Sequence, residues 1–246
     1  MWVAAEYEAT SLFSLKSPMA TSSGAKSLLV PTPFAVKMAL LDCVCRTEGA
    51  EAGRAAWEWL RSLRMAIRPA RYAVVSNVFA KILKPRRGEP AEGSADQGPY
   101  QRTIAYREYV QLVGPLGIAL GGDGGQGFAD SLVRWMAGIS YLGKRGSFVQ
   151  VCGVPSTEET LPTGFVEVRH GLAEEFPLQG VLQMLDECDP KLTFDHVSIY
   201  SEKALRRGKD RLFCHTVLPY RVLSSSRGYT AYERIDDRET AEGVRV

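Results

Sequence analysis

The chain has 246 residues, enough to bury a substantial core as one large domain or as a domain with a smaller appendage, and 45% of them are apolar. Its formal charge of +2, from 30 Lys and Arg against 28 Asp and Glu, excludes bulk charge as an argument for nucleic-acid binding, so local clusters must carry it. The five cysteines, at 43, 45, 152, 188 and 214, lack zinc-knuckle spacing, and the chain shows neither a basic-then-apolar leader nor about eighteen consecutive apolar residues. These features predict reduced thiols, no metal, no membrane span and a cytoplasmic location.

Residues 1–15 read as a strand, with Trp2 and Ala4 on one face and Val3, Ala5 and Tyr7 on the other. The segment 14–33 is small and polar, with Lys16 and Lys26, and ends in Pro31 and Pro33. Thr32 suits an N-cap and Pro33 a first helical turn, so FAVKMALLDCVCR becomes a helix apolar on most sides and therefore buried. Its N-terminus is either an anion-binding end or simply the cap of a core helix. Residues 51–65 predict a second helix, with Ala56, Trp59, Leu60 and Leu63 at helical spacing and Arg54, Arg61 and Arg64 on wetter sides.

The stretch 100–120, YQRTIAYREYVQLVGPLGIAL, alternates apolar and polar side chains, as a half-buried strand does. A strand-like run at 72–83 precedes it. Between them lie residues 84–99, rich in Pro, Gly, Glu and Ser and too poor in apolar residues to pack. A long hairpin at about 72–120 with a polar tip follows. Its arms carry Lys81, Lys84, Arg86, Arg87, Arg102 and Arg107, a basic ribbon suited to a phosphate backbone. The run GGDGGQG at 121–127 has neither the Lys of a Walker loop nor the acidic partner of a dinucleotide fingerprint. Residues 128–142 predict an amphipathic helix through Phe128, Leu132, Trp135, Met136 and Ile139, stopped by Gly143. After the turn GKRG, SFVQVCGV reads as a strand.

The order strand, helix, strand, strand, helix, strand, with an extra helix before the second strand, predicts an α+β protein. Its residues 1–154 would form a ferredoxin-like domain of the kind RNA-recognition modules use. Residues 155–246 read as a smaller β-rich lobe, with strands in TGFVEVRH and DRLFCHTVLPYRV, a short helix at 178–188 and an extended tail at 227–236. The basic run KALRRGKDR at 203–211 is either a docking surface or a solvated loop.

PTPFAVKMALLD after the small-residue loop, then YREYV with its apolar strand, then a helix ending in YLGKRG, together resemble the Cas5 family of CRISPR effector subunits. The likeness spans roughly residues 1–154, with an echo in LPYRV and RGYTAYE. It implies a non-catalytic, cofactor-free subunit at the foot of a Cascade-like complex. Such a subunit grips the repeat-derived 5′ handle of the crRNA, touches a Cas7-type backbone subunit and a large Cas8-type subunit, and meets target nucleic acid through the assembly. By that likeness the hairpin is a thumb across the RNA. Arg102 and Arg107 would contact handle phosphates or bases, Lys144 and Arg145 would lie near the same surface, and Lys16 and Lys26 would flank the first helix. Tyr100 or Tyr106 would stack on an unpaired base, although an aromatic on a strand also packs on its neighbours.

Some relatives in that family cut precursor RNA without a metal, which needs a base, an acid and cationic help. The histidines here, His170, His196 and His215, all fall outside the thumb and first lobe, which argues against cleavage. A third possibility, a nucleotide-using enzyme with its phosphate site at Gly124 and Gly125, lacks the partner Lys or Ser/Thr.

Overall fold

A computed structural model of the protein describes residues 1–17, 20, 24–90, 92–94, 97–123, 126–169, 179–206 and 208–235. Strand β1 (Trp2–Ala9) is shorter than the expected 1–15 but presents the expected faces. Val3, Ala5 and Tyr7 enter the main core, and Trp2 and Ala4 pack on the opposite side. Three two-residue strands follow, β2 (Leu15–Lys16), β3 (Gly24–Ala25) and β4 (Ser27–Leu28). Helix α1 (Pro33–Glu48) begins as expected, with Thr32 Oγ1 accepting from the Ala35 amide at 3.1 Å. Thr32, Pro33, Phe34 and Ala35 are all buried, so this N-terminus is the cap of a core helix.

Helix α2 (Ala50–Ser62) stops short of the expected residue 65. The next residues form strand β5 (Arg64–Arg68), whose Met65, Ala66 and Ile67 are fully buried. A run buried on both faces has no alternation to betray it, and here it merged with the helical spacing before it. The hairpin is present as β6 (Tyr72–Pro85) and β7 (Tyr100–Val113). It does not extend to 120. Gly114, at φ 86°, turns the chain into β8 (Leu116–Gly121), a separate and wholly buried strand. Helix α3 (Gln126–Ala137) ends five residues before the expected 142, and Gly143 (φ 75°) belongs to the following turn, packed on Leu15. Ile139 still reaches the core.

Strands β9 (Val149–Val151), β10 (Ser156–Glu158) and β11 (Val166–Val168) come next. Residues 178–188, expected as a helix, instead supply β12 (Val181–Cys188), paired along its whole length with β13 (Arg211–Leu218). Antiparallel pairing with β13 along the whole strand, with hydrogen bonds at alternate pairs, decided the matter over the mixed local pattern. The one-turn α4 (Phe194–Val197) lies between them, and β14 (Tyr220–Ser225) and β15 (Tyr229–Arg234) close the described chain.

The first sheet runs β10-β1-β8-β5-β11, with β9 also on β1, and all its pairings are antiparallel. One face carries α1, α2 and α3 over Val3, Tyr7, Met65, Ile67, Ile118 and Leu120. The other is roofed by Leu161 and Phe165. A second sheet, β14-β15-β6-β7-β3, holds the hairpin. Of the residues after 154, expected as a smaller lobe, β10 and β11 join the first sheet and β15 joins the hairpin, while β12 and β13 form their own ribbon. Among the described residues no helix is long and apolar enough to cross a membrane.

Candidate nucleic-acid interface

The hairpin arms pair residue for residue from Tyr72↔Val113 to Pro85↔Tyr100. Directly opposed residues share a face, so the register sorts every side chain. One face carries, from base to tip, Ala73 and Leu112, Val75 and Val110, Asn77 and Glu108, Phe79 and Tyr106, Lys81 and Ile104, Leu83 and Arg102, Pro85 and Tyr100. The other carries Val78 and Arg107, Ala80 and Ala105, Ile82 and Thr103, Lys84 and Gln101. Arg102 and Arg107, paired in expectation, therefore project to opposite sides.

Near the base the first face is core, with Ala73 and Val110 at 0% exposure. Beyond Asn77 it leaves the body, and Phe79, Leu83, Ile104 and Tyr100 are 74%, 66%, 63% and 53% exposed. Four large apolar side chains in water on one ribbon face, with Lys81 and Arg102 among them, are what contact with a partner requires and folding does not. The sequence reading missed Phe79, Leu83 and Ile104 as site residues. The signal was available, because Phe79, Lys81 and Leu83 alternate in step with Ile104, Arg102 and Tyr100 across a polar loop.

Tyr106 is not a free stacking platform. Its ring packs on Phe79 with centroids 5.0 Å apart, and its hydroxyl lies 2.7 Å from Asn77 Oδ1 and 3.0 Å from Glu108 Oε1. Desolvation, then the Glu108 carboxylate, push its pKa up. The other oxygen of Glu108 accepts from the Ser27 amide at 2.8 Å, so Glu108 ties the 24–28 segment to the hairpin base. Tyr100, exposed at the tip, remains available.

Segment 24–28 lies along β7, with Gly24 and Ala25 in register with Tyr106 and Arg107, and this carries Lys26 to the hairpin base. Lys16 sits opposite Ser27 in the β2–β4 pair. The 144–147 turn adjoins them: Ser11 Oγ donates to Gly146 O at 2.6 Å, Ser14 N to Ser147 Oγ at 3.4 Å, and Ser14 Oγ to Glu108 O at 3.1 Å. Lys16, Lys26, Lys144 and Arg145 are all exposed. The structure thus gathers them at the foot of the hairpin, while Lys81, Lys84, Arg87 and Arg102 lie exposed along and beyond its arms. Arg86 is partly buried, its Nε donating to Gly98 O at 3.3 Å, and Arg107, partly buried, donates to the Tyr106 carbonyl at 3.0 Å.

Ion pairing is sparse on this surface, although exposed Lys191, Lys209 and Arg227 elsewhere also meet no carboxylate among the described residues. Elsewhere Arg46, Arg54, Arg68, Arg134, Arg169 and Arg221 each meet a carboxylate. Among the described residues, Lys16, Lys26, Lys81, Lys84, Arg87, Lys144 and Arg145 meet none. The 203–211 run is largely neutralised, with Lys203 on Asp195, Arg206 on Asp210 and Arg211 on Asp186; Arg207 lies outside the described residues.

On the first sheet Trp2 is not available for base stacking, because it is 5% exposed and its indole covers Gly121 beside Phe165 and Leu161. His196 is occupied in the capping box of α4 with Thr193, and His215 stands on β13 opposite Met184. His170 lies outside the described residues. So do Gly124 and Gly125. Their neighbours Gly121 and Gly122 have packing reasons to be glycine, since an added Cβ would meet the Trp2 ring at 2.8 Å and Leu63 and Phe128 at 3.1 Å. Burial raises the Cys188 and Cys214 thiols to about 12, which leaves them unsuited as nucleophiles.

No family model matches the chain. It is 24% identical over 215 residues to the CRISPR-associated protein Cas5 of Archaeoglobus fulgidus, covering 86% of this chain and 90% of that one. Among solved structures it is similar to a CRISPR protein from Archaeoglobus fulgidus, with a TM-score of 0.44, 12% identity and coverage of 96% and 92% of the two chains. It is also similar to a chain of a CRISPR RNA-guided surveillance complex, with a TM-score of 0.47, 16% identity and coverage of 87% and 88%. The resemblance carried by the residues is thus met by a relative that bears the Cas5 name.

Proposed function

We propose that this chain, a homologue of a Cas5 protein, is a non-catalytic RNA-binding subunit of a Cascade-like CRISPR effector complex. It holds the repeat-derived 5′ handle of the crRNA across its hairpin and contacts Cas7-type and Cas8-type subunits. The observation that supports this reading is the basic surface in which Lys26, Lys81, Lys84, Lys144 and Arg145 meet no carboxylate, running from the 144–147 turn up a hairpin that also exposes Phe79, Leu83 and, at its tip, Tyr100. Cations without carboxylates attract phosphates, and exposed rings among them accept unpaired bases. The ferredoxin-like assignment rests on the first sheet. If β1, β5, β8 and the β9–β10 pair are its four strands, their spatial order is fourth, first, third, second, and the hairpin is a thumb inserted between the second and third.

The test is to co-express the chain with its genomic neighbours and a repeat array, purify it and sequence the bound RNA. A uniform species beginning with repeat-derived nucleotides is the expected result, and absence of RNA overturns the reading. Lys81→Ala with Arg102→Ala, and separately Lys84→Ala with Arg107→Ala, address the two faces. Each pair should flatten the salt dependence by about 1.4 in log–log slope if both cations touch single-stranded phosphates. Unchanged slopes in both would remove the thumb role. His170→Ala should leave the 5′ end of the RNA as it was; accumulation of uncut precursor would instead establish cleavage.

A further inference from the structure

Away from the hairpin, a cleft of about 640 Å³ opens where β11, at the edge of the first sheet, meets the β12–β13 ribbon, with the C-terminal end of α2 beside it. Its charged lining is Lys37, Arg61, Arg64, Glu167, Arg169 and Glu187. Lys37 is 2% exposed, and its Nζ donates to Arg61 O at 2.8 Å and to Glu187 Oε1 at 2.7 Å, engaging two of its three protons. A buried ammonium costs more than the leucine that α1 could have carried there, so stability alone does not call for it. Glu167 takes Arg169 on one oxygen at 2.7 Å and Arg64 on the other at 3.6 Å. Both carboxylates are therefore already neutralised. Four cations against two carboxylates leave a surplus of two positive charges facing one concavity.

Two of the guanidiniums are held in place before any ligand arrives. Arg61 Nη1 donates to Leu192 O at 2.7 Å, and Arg64 lies over the Trp2 ring at 4.7 Å. Fixed guanidinium forks lose little freedom on binding and suit an anion with several coplanar acceptor pairs. A phosphate dianion matches both the surplus charge and the number of donors; a carboxylate matches neither. We infer that the cleft between β11 and the β12–β13 ribbon binds a phosphate group, inorganic or carried by a small nucleotide, at a site separate from the hairpin.

Calorimetric titration of the full chain with pyrophosphate, with adenosine 5′-monophosphate and with adenosine tests this. Pyrophosphate and the monophosphate should bind and adenosine should not; tighter binding of the monophosphate would identify a nucleotide, and weaker binding an inorganic anion. Arg64→Glu and Arg169→Glu, at side chains 55% and 78% exposed and so compatible with folding, should each weaken binding roughly tenfold. Lys81→Ala with Arg102→Ala should leave it intact. No anion binding up to about 10 mM, or equal binding in the Arg64 and Arg169 variants, overturns the site. Loss of binding in the hairpin pair instead would assign the anion to the hairpin and equally overturn it. RNA retention does not depend on this cleft, so the two readings fail separately.

Discussion

Asp210 shows why counting charges along a sequence misjudges a surface. The run 203–211 looks basic, yet Arg206 folds back on Asp210, its Nε and Nη2 each 3.0 Å from a carboxylate oxygen, and the Arg206 amide donates to the same group at 2.7 Å. These side-chain bonds, with the amide next, hold the carboxyl at about 2 instead of 3.8. A depressed carboxylate pKa contributes to folding above the ordinary value, and the contribution is lost as the pH falls through the depressed one. Acid below about pH 4 should therefore loosen this turn before it touches the apolar core. A carboxyl-detected NMR titration should place the Asp210 midpoint near 2, moving back toward 3.8 in Arg206→Ala. A midpoint near 3.8 in the parent chain would free Arg206 for a partner and reopen the run as a docking surface.

At the scale of elements, β8 explains a motif that sequence leaves ambiguous. Gly121 closes this buried strand beneath Trp2, and an added methyl would stand 2.8 Å from two ring carbons. Gly127, inside α3, has open space around it. Gly121→Ala should cost about 1–3 kcal/mol by overpacking, whereas Gly127→Ala should be neutral or stabilise by up to about 1 kcal/mol. Denaturant unfolding of the two variants checks both, and a neutral Gly121→Ala would remove the packing account of the glycine run. Elements that announce themselves locally were legible in the sequence: α1 through Thr32 and Pro33, the hairpin through alternation flanking a polar tip, and the faces of β1. Those fixed by distant partners were not. RMAIR is a strand because β8 and β11 flank it, and residues 181–188 are a strand because β13 runs beside them. For the site, cation positions were legible, but which cations keep their charge unspent depends on carboxylates far along the chain, such as Asp186 for Arg211. The exposure of Phe79 was also hidden, because nothing local says where the ribbon leaves the body.

Across the whole molecule, the parts before and after residue 154 share one core. Leu185, Cys188, Cys214, Leu218 and Tyr220 belong to the same buried cluster as Val36, Leu60 and Ile118. Tyr220 Oη donates to Ala70 O at 2.7 Å, Trp57 Nε1 to Leu192 O at 2.7 Å, and Arg234 Nη1 to Pro69 O at 2.7 Å. Strand β11 covers the outer edge of β5, and β15 covers the base of β6. A fragment of residues 1–154 would lose Glu187 as the partner of Lys37, together with the strand that buries that ammonium. It would also bare three strand edges, on β5, on the base of β6 and on Trp2–Ala4 of β1, and the apolar wall that β12 and β13 cover. Set against a total stability of roughly 5–15 kcal/mol, these losses leave no folded fragment. The full chain should therefore melt in one transition, and the 1–154 fragment should show neither a cooperative melt nor a dispersed amide spectrum. A fragment that melts cooperatively would establish two lobes, and would mean that the hairpin's foot is built without the strand that β15 lends it.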